Sequence, residues 1–564
     1  MNNLNKKEFD YIVVGSGAAG GIVSSRLSEN FKNSVCLLES GPRNWHPYLH
    51  IPAGFIKVIF KEKFSWNFIT QENKNTYSRK IPIPQGRVLG GSTSINGLVY
   101  NRGLKSDYNN WSAFGNEGWD YDSILPYFKK NERRIGGFNS DFRGYNGKIS
   151  VTDSEWHDPI CDSFIDGVNQ SGLNSNPDYN ADFQEGTGYF QRTIFSGRRV
   201  STANTYIRSS VKKHGLEVRQ HSQAIKIIIK ENHAIGVEYY NHRSKKTEVI
   251  KARKEVIISA GAINTPKLLQ LSGIGSKDDL SKFNIDLKKE LPGVGKNLKD
   301  HYSIRLSSRV SNAVTINEKS RGLRLGGEIL KWIFKKPSIL SLSPSVVYLF
   351  CKSHEDINEP DLQGVFTPAS YREGYVGVLD NYPGMTCGFW MHKPKSSGEV
   401  TLASKDPFVP PTVQPNYLQD KEDQEKIIQC AKLARKFLSS GALMKFNPKE
   451  TFPGEDCQTD QQLLTFCRRY GVSSYHLCGT AKMGPDNDPM AVVTPRLKVR
   501  GIEGLRIVDS SVMPEIPSAN ICAATMMIAE KASNMIIEDN QKKQADASPP
   551  MNSFLYKQGR NLAD

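Results

Sequence analysis

Two short stretches of this 564-residue chain carry residue types suited to moving a proton. "SSYHLCGTAKMG" at 473–484 sets His476 ahead of Gly479 and Gly484, in a chain with only 11 histidines. Imidazole has an ordinary pKa near ~6.5 and can accept a proton at neutral pH, so His476 is a candidate base. "PSANICAATMMIAEK" at 517–531 presents Asn520, whose amide can hydrogen-bond an oxygen but cannot act as a base. A third stretch suits phosphate. In "FDYIVVGSGAAGG", Gly15, Gly17 and Gly20 spell GxGxxG. The first glycine permits a tight turn, the second lets backbone approach a pyrophosphate, and the third lets helix and strand pack closely. Glu39 ends the next apolar run, where a carboxylate can accept hydrogen bonds from ribose hydroxyls. The motif alone suits NAD and FAD equally.

These residues need a strand, a turn and a helix to position them. The spacing predicts a strand over 9–14, a helix over 18–29 and a second strand ending at Glu39. Residues 42–85 are loop-rich, aromatic and punctuated by proline, which reads as a lid over a cofactor. "GRVLGGSTSINGLVYNRG" at 86–103 offers Gly90 and Gly91 for free backbone, Ser92 and Thr93 as donors and the Asn96 amide. Short β-rich runs fill 216–261, and "NTPKLLQLSG" predicts a helix ending at Gly273. Residues 311–464 change character, with fewer glycine turns and more aromatic runs, and read as a second domain. A closing helix follows, and the polar tail at 541–564 is expected to be disordered.

Composition narrows the class. The chain is too long for one core, which stops growing near ~250–300 residues, so two domains are expected. Hydrophobic residues at 38% with charged residues at 23% fit a folded protein. The net charge of +16 is scattered and forms no basic array, which argues against a nucleic-acid partner. Nine cysteines without a CxxC pair argue against a disulfide framework and a zinc site, and point to a reducing compartment. Asp10 and the glycines interrupt any signal-peptide core, and no run of 18 apolar residues predicts a membrane span. A cytoplasmic location is expected.

With these motifs in order along 9–540, the chain resembles the glucose–methanol–choline (GMC) oxidoreductases, which are FAD-dependent. The resemblance rests on "GRVLGGSTSINGLVYNRG", "GAINTPKLLQLSGIG" at 261–275, "LPGVGKNLKDH" at 291–301, the His476 stretch and "LRIVDSSVMPEIPSANICAATMMIAEK" at 505–531. It implies an α/β fold: a Rossmann-like, doubly wound FAD domain interleaved with a substrate domain of antiparallel sheet plus helices. The implied boundaries are 1–155, 200–310 and 465–540 for the first, and 156–199 and 311–464 for the second. It further implies cofactor contacts at Gly15, Gly17, Gly20, Glu39, Arg87, Gly90, Gly91, Ser92, Asn96, Gly97, Ala224, Asp509 and Ala519. His476 and Asn520 become the catalytic pair and Tyr475 a substrate contact. Ile95 stands where some relatives carry a histidine that binds FAD covalently, so non-covalent FAD is expected.

The implied reaction is oxidation of an alcohol by hydride transfer to flavin, with His476 as base. Oxygen, a quinone or another carrier would take the electrons, and a dehydrogenase is favoured. The alternatives are a non-redox branch, photodecarboxylase or hydroxynitrile lyase, and a flavin-binding protein without turnover. Photodecarboxylases use a cysteine–arginine pair; here His392 lies near that cysteine position and no arginine occurs at 411–413. No carboxylate for a quaternary ammonium can be placed in 311–390, and Cys522 has no assigned role.

Overall fold

The computed structural model describes residues 6–137, 139–372 and 377–546. Two seven-stranded sheets organise the chain. In the first, Glu217–Gln220, Val35–Glu39, Glu8–Val14 and Lys246–Ile258 run parallel, with Leu505–Ile507 pairing alongside the last. Lys246–Ile258 is 13 residues long, and its opening half also pairs antiparallel with His233–Asn241, which pairs in turn with Ser222–Lys230. The inner strand Val35–Glu39, VCLLE, is buried at every position, as a sheet covered on both faces requires. The helices Gly20–Ser28 and Cys522–Asp546 pack on each other beside it.

The carboxyl ends of Glu8–Val14, Val35–Glu39 and Lys246–Ile258 lie side by side, so Gly15, Ser40 and Ser259 emerge at one edge. In a doubly wound sheet this edge is where a nucleotide binds. Glycine is required here. A Cβ on Gly15, whose φ is +96°, would lie 2.4 Å from the Ser259 carbonyl oxygen, and one on Gly20 would lie 1.9 Å from that of Gly15.

The second sheet is antiparallel and runs Lys449–Phe452, Tyr302–Arg309, Gly384–Met391, Leu362–Thr367, Val347–Cys351, Gly186–Tyr189. The Lys421–Leu438 helix covers it through Ile427, Ala431 and Ala434, all fully buried. Two placements differ from the sequence expectation. Tyr302–Arg309 and Val472–Ser473, allotted to the first domain, pair within this second region, because Tyr302 opposes Ser473. The closing helix continues to Asp546, so 541–546 are helical rather than disordered; the remaining tail, 547–564, lies outside the described residues.

Glu530 on the closing helix is fully buried and holds the first-sheet helices together. Its carboxylate accepts from Arg26 Nη2 at 2.8 Å and Tyr206 Oη at 2.8 Å, with Lys130 Nζ at 3.5 Å. Removing one partner of a buried ion pair strands the other. Glu530→Ala is therefore expected to lower stability by about 3 kcal/mol, read as a shifted denaturant midpoint, and an unchanged midpoint would contradict this packing.

Candidate functional site

Two cavities meet at Ser259, which lines both. The smaller sits on the parallel strand ends and is lined by Gly15, Gly17, Glu39, Gly91, Ala224 and Lys267, among others. The larger continues between the two sheets. Ser92, Asn96, Gly97, Tyr475, His476, Asp509 and Asn520 line it, with Phe55 and Ile56 from the lid segment. Gly20, Arg87, Gly90 and Ala519 line neither cavity. Gly20 and Gly90 act through close backbone packing. Arg87 lies over the Trp66 ring at 4.6 Å, and its Nε donates to Ser40 Oγ, so it backs the smaller cavity's wall. Ala519 is fully buried near Gly103, and its turn delivers Asn520 to the cleft.

The paired cavities fit an extended dinucleotide such as FAD. A Cβ on Gly91 would lie 2.6 Å from Gly17 Cα, whereas one on Gly17 would meet nothing, so open space lies above the glycine turn. Glu39 accepts from Ser16 N, Ser16 Oγ and Gly41 N, which leaves one lone pair on its Oε1 for a ribose hydroxyl. Burial pushes its pKa up, and the three donors oppose that. Asp509 serves the backbone instead: it accepts from Gly261 N and Thr265 Oγ1 on one oxygen and from Ser511 on the other. Its part is to hold the loop and helix start that frame the cleft. Lys267 was not singled out in the sequence; its Nζ donates to the Pro407 carbonyl at 2.6 Å, and burial lowers its pKa to about 8.

The catalytic candidates come together by strand pairing. The segment around Lys299–Ser303 runs antiparallel to that around Val472–Cys478, with Lys299 opposite Cys478 and Tyr302 opposite Ser473. This brings His301 against His476 across 175 residues of sequence. Tyr475 has a φ of +65°, a left-handed backbone that non-glycine residues rarely adopt and that turns the next side chain. The His476 amide donates to Asp300 Oδ1 at 2.8 Å, while Ser473 Oγ and Tyr417 Oη, each at 2.5 Å, donate to Oδ2. Burial raises the Asp300 pKa to about 6, against these hydrogen bonds.

Hydrogen bonding then fixes the protons. The His392 carbonyl, 2.7 Å from His301 Nε2, can only accept, so His301 carries its proton there. His301 Nδ1 is therefore a lone pair, and His476 Nδ1, 3.0 Å away, must donate to it. The free lone pair of His476 is left on Nε2, where Asn520 Nδ2 donates at 3.1 Å. Gln363 Nε2 donates to Asn520 Oδ1 at 3.1 Å and so fixes the amide's orientation. His301 stands in the quoted "LPGVGKNLKDH", but only the strand pairing gives it a partner.

Burial lowers the His476 pKa to about 3 and puts that of His301 well below its usual range. Cys522 stays a neutral thiol: burial pushes its pKa up to about 11, and Asn96 Nδ2 lies 3.6 Å from its sulfur. Among the described residues no cluster of histidine, cysteine or carboxylate could hold a metal ion, and no helix is long and apolar enough to cross a membrane. Nitrogen-15 NMR of labelled imidazoles should find His476 neutral, with Nε2 unprotonated, from about pH 5 to about pH 8, whereas an ordinary histidine titrates there. A His476 signal that titrates near ~6.5 would contradict the assignment.

Comparison with known proteins identifies the family. Two GMC oxidoreductase family models match the chain, over residues 9–303 and 394–529. The chain is 36% identical over 547 residues to an oxygen-dependent choline dehydrogenase of Rhizobium etli, covering 96% of this chain and 98% of that one. The corresponding enzyme of Photobacterium profundum is 37% identical over 536 residues, covering 94% and 93%. Among solved structures, Aspergillus oryzae formate oxidase shares the fold with a TM-score of 0.88 at 24% identity, covering 95% of this chain and 99% of that one. Pyridoxine 4-oxidase from Mesorbium loti does so with 0.83 at 24%, covering 94% and 99%. The chain belongs to the GMC oxidoreductases, FAD-dependent enzymes that oxidise alcohols.

Proposed function

We propose that His476 is the base and Asn520 the oxygen-holding partner in the oxidation of an alcohol with an apolar body. The observation that carries this is the proton order just described, which leaves the Nε2 lone pair of a neutral His476 beside the Asn520 amide donor in the cleft. FAD, when bound, supplies the hydride acceptor. The alcohol displaces the direct Asn520 Nδ2–His476 Nε2 hydrogen bond, its hydroxyl donating to Nε2 while its oxygen accepts from Nδ2. Nε2 takes the hydroxyl proton, and the amide stabilises negative charge developing on oxygen. His301 Nδ1 keeps accepting from His476 Nδ1 as the ring becomes cationic. Asp300 holds the backbone of His476, and Tyr475 closes the wall beside it. Ile95 offers no nucleophile, which supports non-covalent cofactor binding.

Phe55, Ile56, Ile59, Val365 and Trp390 give the cleft apolar walls. Arg305 also lines it and has no ion-pair partner among the described residues. Its charge disfavours a cationic substrate, although the named relatives are choline dehydrogenases.

Two tests follow, both in anaerobic stopped flow with flavin absorbance as readout. His476→Ala should keep the yellow cofactor but lose about 10²–10⁴-fold in reduction rate, and equal rates would sink the base assignment. The neutral tert-butyl isostere of choline should bleach the flavin faster than choline, and Arg305→Gln should narrow that gap. Faster bleaching by choline would replace this substrate reading with the relatives' one. Admitting oxygen afterwards separates an oxidase, which recolours quickly, from a dehydrogenase.

A further inference from the structure

The helix Gly322–Ile333 differs from the others in what it shows to solvent. Leu323 is 96% exposed, Phe334 71%, Leu330 57% and Ile333 56%. Leu323, Leu330 and Phe334 recur at seven and four residues, which is one face of a helix, with Ile333 on its flank. A soluble surface rarely gathers large apolar side chains in this way without a partner. Gly326 and Gly327 lie between them, and a Cβ at either would meet nothing.

The opposite face is anchored. Glu328 is buried; its side chain accepts from Ile339 N at 2.9 Å, and its carbonyl accepts from Ser338 Oγ at 2.8 Å. Trp332 Nε1 donates to the Gly197 carbonyl at 2.7 Å, under the Arg198 guanidinium. The anchoring turn Ile339–Ser341 packs on the lid helix Pro52–Lys57, and Pro344 and Ser345 just beyond it line the cleft. The apolar face is thus held outward, next to the cleft.

Its charge selects the occupant. Arg321, Arg324, Lys331, Lys335 and Lys336 surround the apolar side chains and are all exposed. Lys331 pairs with Glu328, the only acidic residue in 321–336, at 2.6 Å, and Arg321 donates to the Leu379 and Asp380 carbonyls, which leaves Arg324, Lys335 and Lys336 to set the charge of the face. Two copies meeting through this face would bring like charges together. A surface of acidic lipid would neutralise them while accepting the apolar side chains, the pattern of a helix lying in a membrane interface. The chain's net charge of +16 acts in the same direction.

We propose that Gly322–Phe334 is a docking helix that seats the enzyme on an anionic bilayer with the lid and the cleft beside the lipid surface. Leu323, Leu330, Ile333 and Phe334 enter the interface, and Arg324, Lys335 and Lys336 contact lipid phosphates. This placement offers the cleft alcohols and electron carriers that partition into lipid, and it holds whichever alcohol the site oxidises.

The test is co-sedimentation of the full-length holoenzyme with vesicles of phosphatidylcholine alone and of phosphatidylcholine with phosphatidylglycerol. Binding to the anionic vesicles should exceed that to the neutral ones by at least about tenfold and weaken with added salt. The triple variant Leu323→Ser, Leu330→Ser, Phe334→Ser should lose binding while reducing its flavin with a water-soluble alcohol at the wild-type rate, which shows an intact fold. Equal binding of both enzymes overturns the proposal. So does a concentration-dependent dimer that the same variant abolishes, in the absence of vesicle binding.

Discussion

A backbone carbonyl can accept a hydrogen bond and never donate one, and the carbonyl of His392 sets the chemistry of the whole cleft on that ground. It fixes the proton on His301, which fixes the proton on His476, which leaves Nε2 as the basic atom. Each step depends on main-chain geometry. His392 is itself pinned, its amide donating to the Asp361 carbonyl and its Nδ1 to that of Pro360. The pairing of the 299–303 and 472–478 segments supplies the other half. An imidazole whose tautomer is determined by backbone does not depend on the solvent for its orientation.

Burial has opposite effects on the charges at this site. It disfavours the imidazolium, so His476 rests neutral and keeps its lone pair at physiological pH. It equally raises the cost of the Asp300 carboxylate, which three donors from Ser473, Tyr417 and the His476 amide offset. That carboxylate accepts from two hydroxyls and a backbone amide rather than from imidazole. The chain of hydrogen bonds is therefore His–His–carbonyl, without the carboxylate partner that would make the ring more basic.

Much of this was legible in the sequence, and the failures share a cause. GxGxxG, Glu39 and the strand–turn–helix order are local, so the glycine turn and its cavity followed from neighbouring residues. His476 and Asn520 were legible from motif resemblance, although their contact spans 44 residues. His301, Gln363 and the His392 carbonyl act only through pairing between distant strands, which periodicity does not encode. The boundary drawn at 310 put Tyr302–Arg309 in the first domain for the same reason: its alternating pattern fits either sheet, and only its partners decide. The outward face of Gly322–Ile333 was missed because an apolar stripe reads as buried until the surrounding layers are known.

The central claim is that His301 acts through His476 by holding its proton on Nδ1. Anaerobic single-turnover reduction of the His301→Ala enzyme tests it most directly, alongside nitrogen-15 spectra of the His476 ring. The account predicts that bound flavin and half-saturating alcohol concentration stay near wild type, while the reduction rate falls by about tenfold or more and Nε2 of His476 acquires a share of the proton. A wild-type reduction rate with an unchanged His476 spectrum would contradict it.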